Sequence, residues 1–218
     1  MDLSEFYDKY YRHSSESWMV RLNHSYSHKM LERGVSQAYD KVLELGAGSG
    51  EHSNFVTHSF SYYLLSDLRD STKLELQDKR FEFKKFDAQQ IPLENDSFDR
   101  IISTCLLHHV SDVKKTLSEM RRVIKNRGLI SINIAADPGF MYRNVWNLTS
   151  GRRLHRQGLM FPRSIHNQEH RGHFMAIMEI TKDVFHLDTV KLRYYPFTFI
   201  PSHNSNIFAV IQIQVNKA

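Results

Sequence analysis

The chain of 218 residues carries 29 lysines and arginines against 24 acids, a net charge of +5 with its 13 histidines neutral. At 41% apolar and 24% charged residues it has the composition of a folded globular protein of one domain, which excludes a disordered or fibrous chain. Its longest apolar runs, such as 128–136 and 207–211, fall far short of the roughly 20 residues a membrane span needs. A single cysteine, Cys105, excludes an internal disulfide and a multi-cysteine zinc site. The N-terminal MDLSEFYDKYYRHSS has neither a basic leader nor an apolar run, so a cytoplasmic location is expected.

Residues 2–36 carry a helix-like pattern through Phe6, Tyr10, Met19, Leu22, Tyr26, Met30 and Leu31, with Gly34 as the expected stop. Short apolar runs then alternate with helix-like stretches. Strands are predicted at Lys41–Leu45, Tyr62–Ser66, Phe81–Phe86, Arg100–Thr104 and Leu129–Ala135. Helices are predicted at Glu51–Phe60, Ser71–Gln77 and Ser111–Lys125, the last presenting Val113, Leu117, Met120 and Ile124 on one face. Such alternation predicts a parallel sheet with helices on both faces. Phe174–Phe185 reads as a helix, and Val190–Phe197 and Ile207–Val215 read as strands joined by a Pro/Ser/Asn-rich turn. No helix fits between these two, so they should be antiparallel.

The sharpest local signal is Val42-Leu43-Glu44-Leu45-Gly46-Ala47-Gly48-Ser49-Gly50, a strand running into a glycine loop that opens a helix. Glycines allow a tight turn and close approach of backbone to a ligand, and a helix N-terminus offers free N–H groups. A dinucleotide site would place glycine where Glu51 stands, so the spacing is G-x-G-x-G rather than G-x-G-x-x-G. Acids follow at successive strand ends. Asp67 closes the second strand, where a carboxylate can accept from two ribose hydroxyls, and Asp87 and Ala88 follow the third. Each acid alone could simply cap a helix or close a turn. Together they would line one crevice.

VLELGAGSGEHS, LLSD, FDAQQIPLENDSFDRIIST, CLLHHVSD and LSEMRRVIKNRGLISI, spanning about residues 41–135, resemble the class I S-adenosylmethionine-dependent methyltransferases, in the branch of ubiquinone-type and other small-molecule enzymes. The resemblance implies a three-layer Rossmann-like α/β fold, a mostly parallel seven-stranded sheet with an antiparallel last strand, and S-adenosyl-L-methionine as cofactor. It implies that Gly46, Gly48 and Gly50 pack against the methionine part, that Glu44 supports the loop, and that Asp67 holds the ribose. Asp87 would accept from the adenine amino group, the Ala88 N–H would reach the ring, and Thr104 would face the sulfonium. The family often has Gly-Gly where Arg127-Gly128 stands, a departure that touches only a turn. The domain would divide into an N-terminal helical lid (1–36), a cofactor-binding core (37–137), a substrate cap (138–173) and a final helix with the antiparallel pair (174–218).

Methyl transfer from a sulfonium is an in-line displacement in which orientation supplies much of the rate, and a base is needed only for a poorly acidic nucleophile. His108 and His109, just past the fourth strand, are candidate bases. Tyr7, Tyr10, Tyr11 and His13 are the others, because the family often folds an N-terminal segment over the substrate. Cys105 could attack a pyrimidine carbon, but a buried strand-end thiol is the expected reading. His166-Asn167-Gln168-Glu169-His170 fits the inverted zinc-protease pattern. In a chain this rich in histidine it is better read as part of the cap, so no metal ligand set is assigned.

Residues 141–173 hold Arg143, Arg152, Arg153, Arg156, Arg163 and Arg171 against one acid, Glu169, so the insertion alone accounts for the net +5 and the rest of the chain is neutral. An insertion this long between a strand and a helix is expected to be functional. Arginine grips phosphate and carboxylate bidentately. Arg143, Arg152, Arg153, His170 and Arg171 are therefore the expected acceptor-binding residues, and the acceptor an anionic small molecule, glycan or lipid-linked intermediate methylated on oxygen or nitrogen. An RNA (tRNA) substrate, which arginines and aromatics also serve, and a catalytically silent cofactor-binding scaffold are the alternatives.

Overall fold

In the computed structural model, described over residues 18–69, 78–152 and 172–217, the buried strands set the architecture. β1 (Lys41–Leu45), β2 (Tyr62–Asp67), β3 (Phe81–Lys85), β4 (Phe98–Thr104), β5 (Ile124–Ala135), β6 (Thr189–Tyr195) and β7 (Phe208–Gln214) form one sheet in the order β3-β2-β1-β4-β5-β7-β6. Each of β1 to β4 pairs in parallel with its neighbours, as does β5 with β4, while β7 runs antiparallel between β5 and β6. This is the expected seven-stranded, mostly parallel α/β sheet.

Alternation along the strands sorts side chains into two cores. On one face Leu43, Leu45, Ile101, Ile130, Ile132 and Ile211 pack under α2 (Val113–Val123) and α4 (Phe174–Val184). α2 starts where Asp112 accepts from the Lys115 N–H, and it buries Val113, Leu117 and Met120. On the other face Val42, Tyr63, Leu65, Ile102, Tyr195 and Val210 pack against Leu31, Val35 and Tyr39 from and after α1 (Trp18–Leu31). Strand order reverses between β1 and β4, which opens a crevice at their C-terminal ends, where ligands of such sheets bind. A small cleft lined by Lys41, Tyr62 and Phe98 lies at the opposite ends of the strands, away from this crevice.

Three expectations are corrected. The helix predicted over Glu51–Phe60 is only a 3₁₀ turn, Glu51–Phe55, and Val56 is already extended. Serine, asparagine, histidine and β-branched residues crowd this stretch and favour helix weakly. The helix predicted to Lys125 stops at Val123, because Ile124 begins β5. Leu22 is 59% exposed, since α1 turns Ser27, His28 and Leu31 inward instead. Within the insertion, α3 (Phe140–Trp146) continues into a π turn at Asn147–Gly151, and that turn packs against α1. The helix predicted at Ser71–Gln77 lies outside the described residues.

Arg127 occupies the left-handed region (φ 62°), with its N–H bonded to the Val215 carbonyl and its side chain exposed. That conformation favours glycine. Arg127→Gly is therefore expected to stabilise the chain by about 1 kcal/mol, read as a higher urea midpoint at unchanged slope. A lower midpoint would show that the turn is not strained.

Candidate functional site

At the end of β1 the chain turns through Gly46 (φ 68°), Gly48 (φ 54°) and Gly50 (φ 75°), all left-handed. A Cβ on Gly46 would meet Leu106 Cδ1 at 2.9 Å, whereas one on Gly48 would meet no described atom within 4 Å. The loop thus packs tightly on its strand side, and at Gly48 no described atom stands where a side chain would be. The Ala47 N–H donates to the Ser66 carbonyl (2.9 Å) and the Gly48 N–H to Asp67 Oδ2 (2.9 Å), so the end of β2 fixes the loop. Asp67 Oδ1 accepts from the Arg69 N–H (3.0 Å), which leaves the carboxylate further lone pairs.

Past β3, Asp87 accepts from the backbone and side-chain N–H groups of Gln89. Gln89 Oε1 in turn accepts from Ser111 Oγ (2.6 Å) and the Asp112 N–H (2.9 Å), which ties the acid to the start of α2. Ala88 is buried beside it. Thr104 ends β4, and Cys105 follows with φ 54°, its N–H held by the Asn133 carbonyl (2.9 Å). Cys105 is exposed, which corrects the expectation of a buried thiol. The protein walls around it nevertheless push the thiol up to about 11, so it stays neutral near pH 7 and is a poor nucleophile.

Glu44, expected to support the loop, is fully buried and accepts from the Tyr63 hydroxyl of β2 (2.7 Å). Burial raises its pKa and, with the adjoining carboxylate, raises that of Tyr63. Glu44 Oε1 finds no hydrogen-bond partner among the described residues. On the same face lies a buried charge network that sequence reasoning missed. Arg100, 0% exposed in mid-β4, donates Nη1 and Nη2 to the two oxygens of Glu32 (2.9 and 2.6 Å). Glu32 Oε1 also bonds His52 Nε2 (2.9 Å), and His52 Nδ1 lies 2.9 Å from His28 Nδ1. Burial alone would raise the Glu32 carboxyl, but hydrogen bonds from His52 and Arg100 hold it at about 2. Burial and the neighbouring His52 and His24 lower His28 to about 3. Because His52 sits in the turn after the glycine loop, the network fastens that turn to α1 and β4.

Of the candidate bases, His108 is buried, with Nδ1 2.6 Å from the Gly172 carbonyl. Donation from Nδ1 fixes Nε2 as its accepting nitrogen. His109 is half-buried in the same turn. Arg143 on α3 and Arg152 at the end of the π turn are exposed. Tyr11, Arg153, His170 and Arg171 lie outside the described residues, as do Tyr7, Tyr10 and His13.

The residues present fit an adenosyl cofactor. A left-handed glycine loop meets a carboxylate at the end of β2, and a second carboxylate stands just past β3. Residues 43–132 match the family described as "Methyltransferase domain". A demethylmenaquinone methyltransferase of Thermotoga maritima is 32% identical over 97 residues, 43% of this chain and 42% of that protein. The matches span only about two fifths of the first curated relatives (42% in each case). Among solved structures, a methyltransferase in complex with the Haloferax volcanii Trm112 methyltransferase activator is similar over 87% of this chain and 90% of its own. Its TM-score is 0.61 and its identity 16%. Phosphoethanolamine N-methyltransferase 2 of Haemonchus contortus, solved with S-adenosyl-L-methionine, gives 0.62 at 14% identity over 88% of this chain and 53% of its own. Likeness at these identities concerns the fold.

Proposed function

We propose that this chain, a member of the class I S-adenosylmethionine-dependent methyltransferase family, transfers a methyl group to an oxygen or nitrogen of an anionic small-molecule, glycan or lipid-linked acceptor. The observation that carries the reading is the left-handed glycine loop held by Asp67 through the Gly48 N–H at the C-terminal ends of parallel strands. When bound, S-adenosyl-L-methionine supplies an electrophilic methyl group on a sulfonium. Gly46, Gly48 and Gly50 give the backbone surface for its methionine end, and Asp67 accepts from the ribose hydroxyls. Asp87 and the Ala88 N–H take the adenine, and Thr104 borders the reacting centre. Gln89 and Ser111 hold Asp87 in place, and Glu44 with Tyr63 stiffens the strand below the loop.

The chain's contribution to the reaction is chiefly to orient the acceptor and exclude water. His109, half-buried five residues after Thr104, is a candidate for taking a hydroxyl proton, while the burial of His108 against Gly172 suits it to holding the end of the cap. Arg143 and Arg152, exposed at the head of the insertion, supply charge for a phosphate or carboxylate. The Thermotoga relative, which is named for methylating demethylmenaquinone, supports a small-molecule acceptor.

The experiment is a labelled-methyl screen against pooled nucleotide sugars, lipid-linked sugars, small carboxylates and RNA. Replacing Arg152 and Arg153 by alanine is expected to raise KM for the acceptor about tenfold or more, the worth of roughly one charge-assisted hydrogen bond, with kcat little changed. An unchanged KM, with a neutral acceptor turned over equally well, would reject the anionic acceptor. Methylation of RNA alone, falling steeply with salt, would replace the reading with the nucleic-acid one.

A further inference from the structure

His24 and His28 stand four residues apart on α1, a spacing that places both imidazoles on one helix face. Glu51 is the first residue beyond the glycine loop. Folding brings the three together: one ligand atom from each lies within 4.8 Å of the others. The two histidine rings are nearly perpendicular, at 73° with centroids 6.4 Å apart, and so do not block each other by stacking. His24 and Glu51 are exposed, and His28 is buried behind them. Nothing in the cofactor site uses these side chains.

A second observation concerns what lies behind His28. An ionised Glu32 only accepts hydrogen bonds, so His52 donates to it from Nε2. With both rings neutral, His52 Nδ1 is then an acceptor, and His28 Nδ1 is the donor in the 2.9 Å contact between them. That leaves His28 Nε2 carrying the lone pair. Metal-ligating histidines are commonly held in this way, one ring nitrogen donating to a partner that fixes the tautomer while the other binds the ion. Here the hydrogen bonds run on through His52 and Glu32 to Arg100, all buried. The Phe55 ring, stacked on His28 at 5.0 Å and 13°, holds the imidazole plane.

We propose that His24, His28 and Glu51 bind a divalent transition ion, zinc by their donor chemistry, which fastens α1 to the end of the glycine loop. Two imidazoles and a carboxylate are a familiar zinc donor set and leave a coordination position for water. Ligand atoms around tetrahedral zinc stand roughly 3.4 Å apart. Binding would draw the exposed His24 and Glu51 side chains in from the present spacing of up to 4.8 Å. The ion would couple the helix leading into the N-terminal segment to the loop that meets the cofactor. The site stands independently of the proposed acceptor and of methyl transfer itself.

The test uses the full chain, stripped with chelator and titrated with zinc chloride by calorimetry, with thermal melting as a second readout. The wild type is expected to bind one zinc more than His24→Ala/Glu51→Gln, and its melting temperature should rise with zinc while that of the variant does not. Each single variant should weaken that site at least tenfold. Both positions are exposed, so the variants should melt near the metal-free wild type. Should either misfold, competition on the wild type decides: cobalt should give a tetrahedral visible spectrum that zinc abolishes. Equal zinc uptake by wild type and double variant would assign binding to other histidines and overturn the proposal, as would no uptake by the wild type.

Discussion

Arg100→Met is expected to destabilise the protein by about 3–5 kcal/mol near pH 7, the usual cost of removing one partner from a buried ion pair. The guanidinium is wholly enclosed and donates to both oxygens of Glu32, so its loss strands a carboxylate with only His52 to hold it. The sign of the pH dependence follows from Glu32. Its carboxyl falls from 4.5 to about 2 in the fold, so the stabilisation is complete above about 4.5 and is lost as pH falls through about 2. Without Arg100 the folded carboxyl titrates higher, so the gap between wild type and variant is widest at neutral pH and closes in acid. Urea unfolding at pH 7 and pH 4 measures both. Adding Glu32→Leu to Arg100→Met removes the stranded charge and is expected to recover part of the loss, because an apolar pair can replace a buried ion pair. A single variant within 1 kcal/mol of wild type, or a double variant no better than the single, would sink this account.

The same network explains why part of the molecule is hard to read from its sequence. β1 and the Leu129–Ala135 part of β5 are legible because short apolar runs coincide with burial on both faces of the sheet, and the glycine loop because three left-handed turns demand glycine. Asp67 and Asp87 are legible because parallel topology brings strand ends to one crevice. Arg100 is not legible. A cation in Phe98-Asp99-Arg100-Ile101 reads as a strand boundary, and its partner Glu32 lies 68 residues away, just past the end of α1. The weak helix formers after the glycine loop make only a 3₁₀ turn, and within it His52 bonds Glu32, a long-range partner that the local pattern does not announce. Gln89 escaped notice for a similar reason, since its amide joins Asp87 to Ser111 and Asp112 only once β3 and α2 are in place. His24 and His28 do carry a signal, the four-residue spacing on a helix, but their third partner Glu51 belongs to a different element.

Asp67→Ala is expected to weaken binding of S-adenosyl-L-methionine roughly 30- to 1000-fold, about 2–4 kcal/mol, while leaving the fold nearly as stable. Two losses combine. The proposed ribose hydroxyls lose a charged acceptor, and hydrogen bonds to charged groups are worth about 1.5–3 kcal/mol each. The Gly48 N–H also loses its 2.9 Å partner, which frees a loop of left-handed glycines to sample other conformations before the ligand arrives. Asp67→Asn separates the two: its amide oxygen can still accept from Gly48, but the neutral group holds the ribose less well. It should therefore fall between wild type and alanine. The side chain is only half-buried at a strand end, so the cost to folding should stay near 1 kcal/mol or below. Calorimetry with the cofactor and with its demethylated product, run beside thermal melting, distinguishes the cases. Affinity within threefold of wild type for Asp67→Ala would remove Asp67 from the cofactor site. A large fall in melting temperature would instead make it a structural anchor for the loop.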